Sequence, residues 1–245
     1  MEENNSKIVL SKKEKMEVRD ESPIIEGSSF FDTSLVPMVI SEDQTDFVDP
    51  EIVNRKYYNN FNFSKLTTKY GNVNLALGIT SANKKEGKTL VASNMAVSLA
   101  RAYRQRTILV DLNFQSPQLH KIFGTRLRPG LIEAMQTRSL QVSPTLIDDL
   151  YLLAAGDNSR YSPDIKDTIA LREIFFTLKN EFDFVVVDMG SVFPVEDFPV
   201  HFFNEVDGLI TVVDTQNTKE EDLEKMYKHV DEKHFIGYIF NRLKD

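Results

Sequence analysis

Cysteine is absent from the chain. That excludes disulfides and thiolate metal sites, and it favours the cytosol. Long apolar runs are missing too. Stretches such as Phe184–Val187 and Leu209–Val213 fall far short of the ~20 residues that cross a bilayer, so no direct membrane insertion is expected. Met1–Ser6 is acidic and polar with no apolar run behind it, so no secretory signal is expected. An excess of basic charge is also lacking. Net charge is −8; residues 1–50 hold twelve acids and five bases, a balance of −7, which leaves −1 for residues 51–245. A near-neutral body has no electrostatic footprint for nucleic acid, and none is expected as a partner.

What is present fits a folded α/β protein. The chain has 245 residues, 41% hydrophobic and 27% charged, and at that size folding removes roughly 70–75% of the surface from water. Residues 1–50 mix charges (Lys12, Lys13, Glu14, Lys15) with short apolar pieces (Ile8–Leu10, Val36–Ile40) and show no sustained periodicity. They read as an acidic, flexible tail or tether with room for one docking segment. Residues 51–245 read as one nucleotide-binding domain. Ile52, Tyr57, Tyr58, Phe61 and Leu66 predict a helix within 51–70 that leads into it.

From residue 75 a regular alternation begins. Strands are predicted over Leu75–Thr80, Thr107–Asp111, Tyr151–Ala155, Phe184–Asp188, Leu209–Asp214 and Phe235–Phe240. Helices are predicted over Lys88–Tyr103, Gly130–Arg138, Asp164–Asn180, Asp197–Asn204 and Lys219–Lys233. Strands alternating with crossover helices give an α/β fold: a doubly wound, mostly parallel sheet with helices on both faces. Such sheets bind ligands beyond the carboxyl ends of their strands.

The first of those strands runs into Ser81-Ala82-Asn83-Lys84-Lys85-Glu86-Gly87-Lys88-Thr89, and a helix of small and apolar residues follows. A P-loop asks for Gly, four residues, then Gly-Lys-Ser/Thr; here Ala82 stands at the first Gly. A loop entering a helix N-terminus turns backbone N–H groups and the positive end of the helix dipole toward an anion. Glu86, Gly87, Lys88, Thr89 and Leu90 are therefore the expected nucleotide-binding residues, Lys88 on the β and γ phosphates and Thr89 offering its hydroxyl to Mg²⁺. Asp111 closes the second strand, where it either faces the ligand crevice or caps a turn. Phe184-Val185-Val186-Val187-Asp188 has the Walker B form, a carboxylate for Mg²⁺ or its water. Asp214, closing the next strand, is expected to be structural. Asn241, after the last strand, either reads an adenine edge or serves a turn.

With these motifs in place, the chain resembles the bacterial tyrosine kinases of capsule and exopolysaccharide synthesis, relatives of the MinD/ParA ATPases. Family members read Thr-Ser-x-x-Pro-Gly-Glu-Gly-Lys-Ser/Thr at the P-loop, and here Lys84-Lys85 replace Pro-Gly. Their second motif, Asp-x-Asp-x-Arg, is Asp111-Leu112-Asn113-Phe114-Gln115 here, and their Asp-x-Pro-Pro is Asp188-Met189-Gly190-Ser191. Residues 51–60 look like the family's Glu/Arg-rich helix that builds the kinase ring, with Arg55 and Asn60 matching and Tyr58 where a second Arg is expected.

The resemblance implies a cytoplasmic autokinase that uses MgATP. It implies ATP or ADP and Mg²⁺ as ligands, and a homo-oligomeric ring. Its partner would be a membrane protein that controls polysaccharide chain length, which holds the kinase at the inner face of the membrane. Carried over by position, Lys88 binds phosphate, Thr89 and Asp188 serve the metal, and Asp111 is the base or a metal ligand. The departures fall where the family does its chemistry. If position 85 is left-handed, a side chain there costs about 1–2 kcal/mol. Asn113 removes a carboxylate near the metal, and Gln115 cannot supply the usual Arg charge. No tyrosine cluster follows Arg242-Leu243-Lys244-Asp245, so modification of a C-terminal tail is not expected. Binding is expected to survive better than catalysis. A non-catalytic, nucleotide-gated scaffold is the first alternative. A MinD/ParA-type partition ATPase is the second, although that class wants a lysine where Asn83 stands.

Overall fold

The computed structural model describes residues 8–9 and 35–243, apart from 44, 46, 60, 64–73, 196–198 and 231–233. In chain order the elements are β1 (Ile8–Val9), β2 (Met38–Ile40), α1 (Arg55–Tyr58), β3 (Leu75–Ser81), α2 (Lys88–Tyr103), β4 (Thr107–Asp111) and α3 (Leu119–Ile122). Then come α4 (Leu131–Thr137), β5 (Leu140–Pro144), β6 (Leu150–Leu153), α5 (Ile165–Glu181), β7 (Phe184–Ser191), a 3-10 turn (Val200–Glu205), β8 (Gly208–Asp214), α6 (Glu220–Tyr227) and β9 (Phe235–Asn241).

The strands form one sheet in the order β1-β9-β8-β3-β7-β4-β6-β5-β2. All pairs from β9 to β6 are parallel. The two exceptions are β1 against β9 and β5 against β6. Strands buried on both faces must be apolar throughout, and β3, β4, β7 and β8 are buried at every position. Alternate residues feed two cores. Val185 and Val187 face one side with α4 and α5, while Phe184 and Val186 face the other with α2 and α3. The expected doubly wound sheet with helices on both faces is therefore present.

Three predicted helices need correction, and β5 is not among the predicted strands. Its buried Leu140 and Val142 alternate with the exposed Gln141, a period-2 signal that its brevity and polar residues hid. The helix predicted within 51–70 is a single turn, Arg55–Tyr58, started by the Asn54 side chain accepting from Lys56 N at 3.0 Å; Asn60 and Leu66 lie outside the described residues. Of the predicted helices at 197–204 and 219–233, the described residues show the 3-10 turn and Glu220–Tyr227, and 197–198 and 231–233 lie outside the described residues.

Most of the expected tail at residues 1–50 lies outside the described residues. Within it, Val36 is buried and donates its N–H to Thr177 Oγ1 at 2.9 Å, and β2 pairs parallel with β5. Among the described residues no helix is long and apolar enough to cross a membrane.

Candidate nucleotide site

β3 is central, and the chain leaves it for β4 on one side and returns to β8 on the other, with β7 between β3 and β4. The carboxyl ends of β3, β7 and β4 therefore border one crevice, the switch point where such sheets bind ligands. A cavity of about 340 Å³ opens there, lined among others by Lys85, Gly87, Lys88, Thr89, Asn113 and Gly190.

The loop between β3 and α2 forms one wall. Gly87 has φ +99°, and a Cβ there would run into the side-chain amide of Asn241; only glycine fits without strain. Lys88 opens α2 and is 7% exposed. Its ammonium donates to Ser81 Oγ at 3.0 Å and to Asn83 O at 3.5 Å. Burial lowers its pKa, against the pull of the Asp188 and Glu86 carboxylates. Thr89 Oγ1 donates to Asp188 Oδ2 at 2.7 Å. Leu90 is half-buried, and its carbonyl accepts from Asn94 Nδ2 at 2.8 Å.

Asp111 and Asp188 are register partners on adjacent parallel strands, both fully buried. Asp111 accepts three backbone N–H groups, from Asn113 at 3.2 Å and from Gln118 and Leu119 at 3.1 Å. Burial, then the charge of Asp188, push its pKa well above the ordinary carboxylate range despite those donors. Burial lifts Asp188 to about 6, against the Thr89 hydroxyl and Lys88. Asp188 Oδ1 is buried without a hydrogen-bond partner. Two buried carboxylates, of which Asp188 has both an orphan oxygen and a threonine hydroxyl beside it, form an oxygen-rich donor set suited to a hard divalent cation. The chemistry of these donors fits magnesium, which Thr89 and Asp188 would hold with Asp111 behind.

Glu86, expected on the nucleotide, and Asn241, expected on an adenine edge or in a turn, both make contacts within the chain. The Glu86 carboxylate turns away from the cavity, accepting from Asn83 N at 3.0 Å and from the Thr218 hydroxyl. Asn241 Nδ2 donates to Glu86 O at 2.9 Å. Asn83 Nδ2 donates to Asp222 Oδ2 at 3.0 Å. Asp214, expected to be structural, receives Gln216 N, Asn217 Nδ2 and the Arg242 guanidinium. Burial raises its pKa, but these donors outweigh that and leave it lowered. The sequence reading missed the loop's supports, Thr218, Asp222 and Arg242, because each lies far along the chain and carries no motif.

The altered family positions also meet. Lys84 Nζ donates to Gln115 Oε1 at 3.2 Å across the cavity mouth. At the end of β7, with no proline at Gly190 and Ser191, the strand keeps pairing with β3 through Ser191, since both residues retain the N–H that proline lacks.

Fold and loop together define a class: a P-loop protein of the MinD/ParA-like α/β kind. No protein-family model matches the chain. The tyrosine-protein kinase CpsD of Streptococcus pneumoniae is 28% identical over 173 residues, 68% of this chain and 75% of CpsD. The succinoglycan biosynthesis transport protein ExoP of Rhizobium meliloti is 30% identical over 154 residues, 60% of this chain but only 19% of ExoP. Among solved structures, the chimeric protein CapA2B2 superposes with TM-score 0.65 at 23% identity, covering 78% of this chain and 84% of that one. The MinD cell division protein of Aquifex aeolicus gives 0.56 at 20% identity, covering 69% and 70%. The relatives thus include bacterial proteins named tyrosine-protein kinases, and the fold is shared with solved tyrosine-kinase domains and with MinD proteins, as the motifs led us to expect.

Proposed function

We propose that this chain binds MgADP and MgATP at the crevice between β3, β7 and β4 and works as a tyrosine-kinase-like component of bacterial polysaccharide export. The observation that carries the reading is the convergence of Lys88, Thr89 and Asp188, with Asp111 opposite, at the ends of three adjacent strands. Lys88 binds the β and γ phosphates, and the amides of the loop and the α2 N-terminus complete the cradle. Thr89 and Asp188 would hold magnesium, which would supply positive charge against the phosphates. In the transfer, a tyrosine oxygen forms a bond to the γ-phosphorus, the bond to the β–γ bridging oxygen breaks, the phenolic proton goes to Asp111, and ADP leaves.

The kinship with CpsD and ExoP supports a role in polysaccharide synthesis and export, in the cytoplasm at the inner face of the membrane. The partner is the cytoplasmic part of a chain-length regulator, and the kinase itself is a homo-oligomer. Catalysis is weak, because Asn113 and Gln115 bring no charge to the cavity.

A specific observation favours a second reading, the non-catalytic scaffold. Asp111 is fully buried and three backbone amides hold its carboxylate, which suits a residue that shapes the chain after β4 better than one that meets a substrate hydroxyl. The partition-ATPase reading stands third, since the Asn83 side chain is tied to Asp222 within the chain. Incubation with γ-labelled ATP separates them. Label on tyrosine that disappears in Asp111→Ala supports the kinase. Binding with neither transfer nor hydrolysis supports the scaffold, and hydrolysis without protein labelling supports the ATPase.

A further inference from the structure

Five described residues other than glycine have positive φ: Lys85, Arg104, Arg138, Asp149 and Arg242. Arg104 and Arg138 cap the C-termini of α2 and α4, where left-handed residues ordinarily end helices. Lys85 (φ 65°) and Arg242 (φ 57°) end no helix, and they touch. Arg242 Nη2 donates to Lys85 O at 3.2 Å. Its other nitrogen, Nη1, meets the buried carboxylate of Asp214. The backbone of Arg242 is pinned in turn, its carbonyl accepting from Thr215 Oγ1 at 2.8 Å and Gln216 Nε2 at 3.0 Å. With Asn241 on Glu86 O, the last residue of β9 and the one after it hold consecutive carbonyls of the loop.

A left-handed conformation disfavours a residue with a Cβ by about five- to thirty-fold. Lys85 lines the phosphate cavity, so relaxing its φ would turn a peptide of the cradle. The carbonyl of Lys85 and the N–H of Glu86 belong to one planar peptide and point opposite ways. Fixing the carbonyl on Arg242 therefore fixes where that amide aims.

We propose that Arg242, anchored on Asp214, is a positioning residue that holds the Lys85 peptide in its left-handed form and keeps the loop shaped for a nucleotide's phosphates. The proposal rests on the reading of this loop as a phosphate cradle. Apparent affinity falls by the fraction of molecules whose loop keeps that shape. A glycine at position 85 has no strain to hold and makes the guanidinium dispensable.

The test is a double-mutant cycle read by calorimetric titration with MgADP. Arg242→Ala should weaken binding about five- to thirty-fold in the native background and less than about two-fold beside Lys85→Gly, where the strain is gone. Arg242→Lys should behave like Arg242→Ala, since one ammonium keeps the Asp214 pair but lacks the fork that reaches both partners. Equal losses in both backgrounds would mean that Arg242 touches the nucleotide directly, and would overturn the proposal. So would an unchanged Kd in Arg242→Ala. Failure of the native protein to bind MgADP at all would sink the cradle reading, and the positioning role with it.

Discussion

The hydroxyl of Thr89 donates to Oδ2 of Asp188 at 2.7 Å, joining the first turn of α2 to β7 across 99 residues of chain. Neither residue would find the other without the sheet, because β3, which delivers Thr89, lies beside β7 only in the folded order. The bond also leaves the two oxygens of Asp188 in different states. The hydroxyl already sits on one carboxylate oxygen while the other, Oδ1, is buried without a partner.

Lys88→Ala should weaken MgADP binding by about 100-fold or more, equivalent to roughly 3 kcal/mol, since it removes the one buried cation of the cradle. Thr89→Ala should leave an affinity for ADP that no longer depends on magnesium. Calorimetry with and without the metal checks both; an unchanged Kd in Lys88→Ala would refute the site.

The carboxylate pair predicts a pH dependence with opposite signs for binding and stability. Burial holds Asp188 near 6 when folded, against about 4 for a free carboxyl. A group whose pKa is raised on folding stabilises the fold while protonated. That contribution is full below the unfolded value and is lost as pH rises toward 6. The nucleotide-free protein should therefore melt at lower temperature at pH 7 than at pH 5, as far as this pair decides it. MgADP affinity should rise over the same window and level off above pH 6, because the metal needs the ionised carboxylate. Asp188→Asn should flatten both profiles and raise the melting temperature at pH 7 in the absence of ligand.

The Glu86 carboxylate supports the loop from within. Glu86→Ala leaves Asn83 N–H and the Thr218 hydroxyl without their partner, a loss of about 1–3 kcal/mol in stability. Denaturant melts of the two proteins measure it. Glu86→Gln, which keeps an acceptor, should recover much of the difference.

Gly130 precedes α4, and a Cβ there would lie 2.5 Å from Ala154 O and 2.8 Å from Gly156 Cα. Both are backbone atoms and cannot turn aside. Gly130→Ala should destabilise the fold by about 1–3 kcal/mol through overpacking, with the midpoint of a urea melt as the readout. Its distance in sequence from the loop predicts little change in Kd among molecules that remain folded.

Much of the fold was legible because apolar strands buried on both faces advertise themselves. Lys88–Tyr103 is predicted and observed with the same bounds, and the six strands from Leu75 onward are found within a few residues of their predicted ends. β5 and β2 were not, being short strands toward one edge of the sheet with few buried residues to set a pattern. The tight turn at 55–58 shows the converse, since its aromatic neighbours Phe61 and Phe63 stack on each other and Phe63 packs on Tyr103 instead of continuing a helix.

The sequence by itself determined the phosphate loop and the acids at strand ends. These are local arrangements: a glycine that must take positive φ, a lysine at a helix N-terminus, a carboxylate after four apolar residues. Only the tertiary structure decided what each does with its neighbours. It tied Asn241 to Glu86, set Asp111 against Asp188, and brought Arg242 onto Lys85. These pairings span from 77 to 157 residues and depend on the strand order. A residue's spacing along the chain encodes its local conformation, but partners meet only after hydrophobic burial has chosen which strands lie side by side.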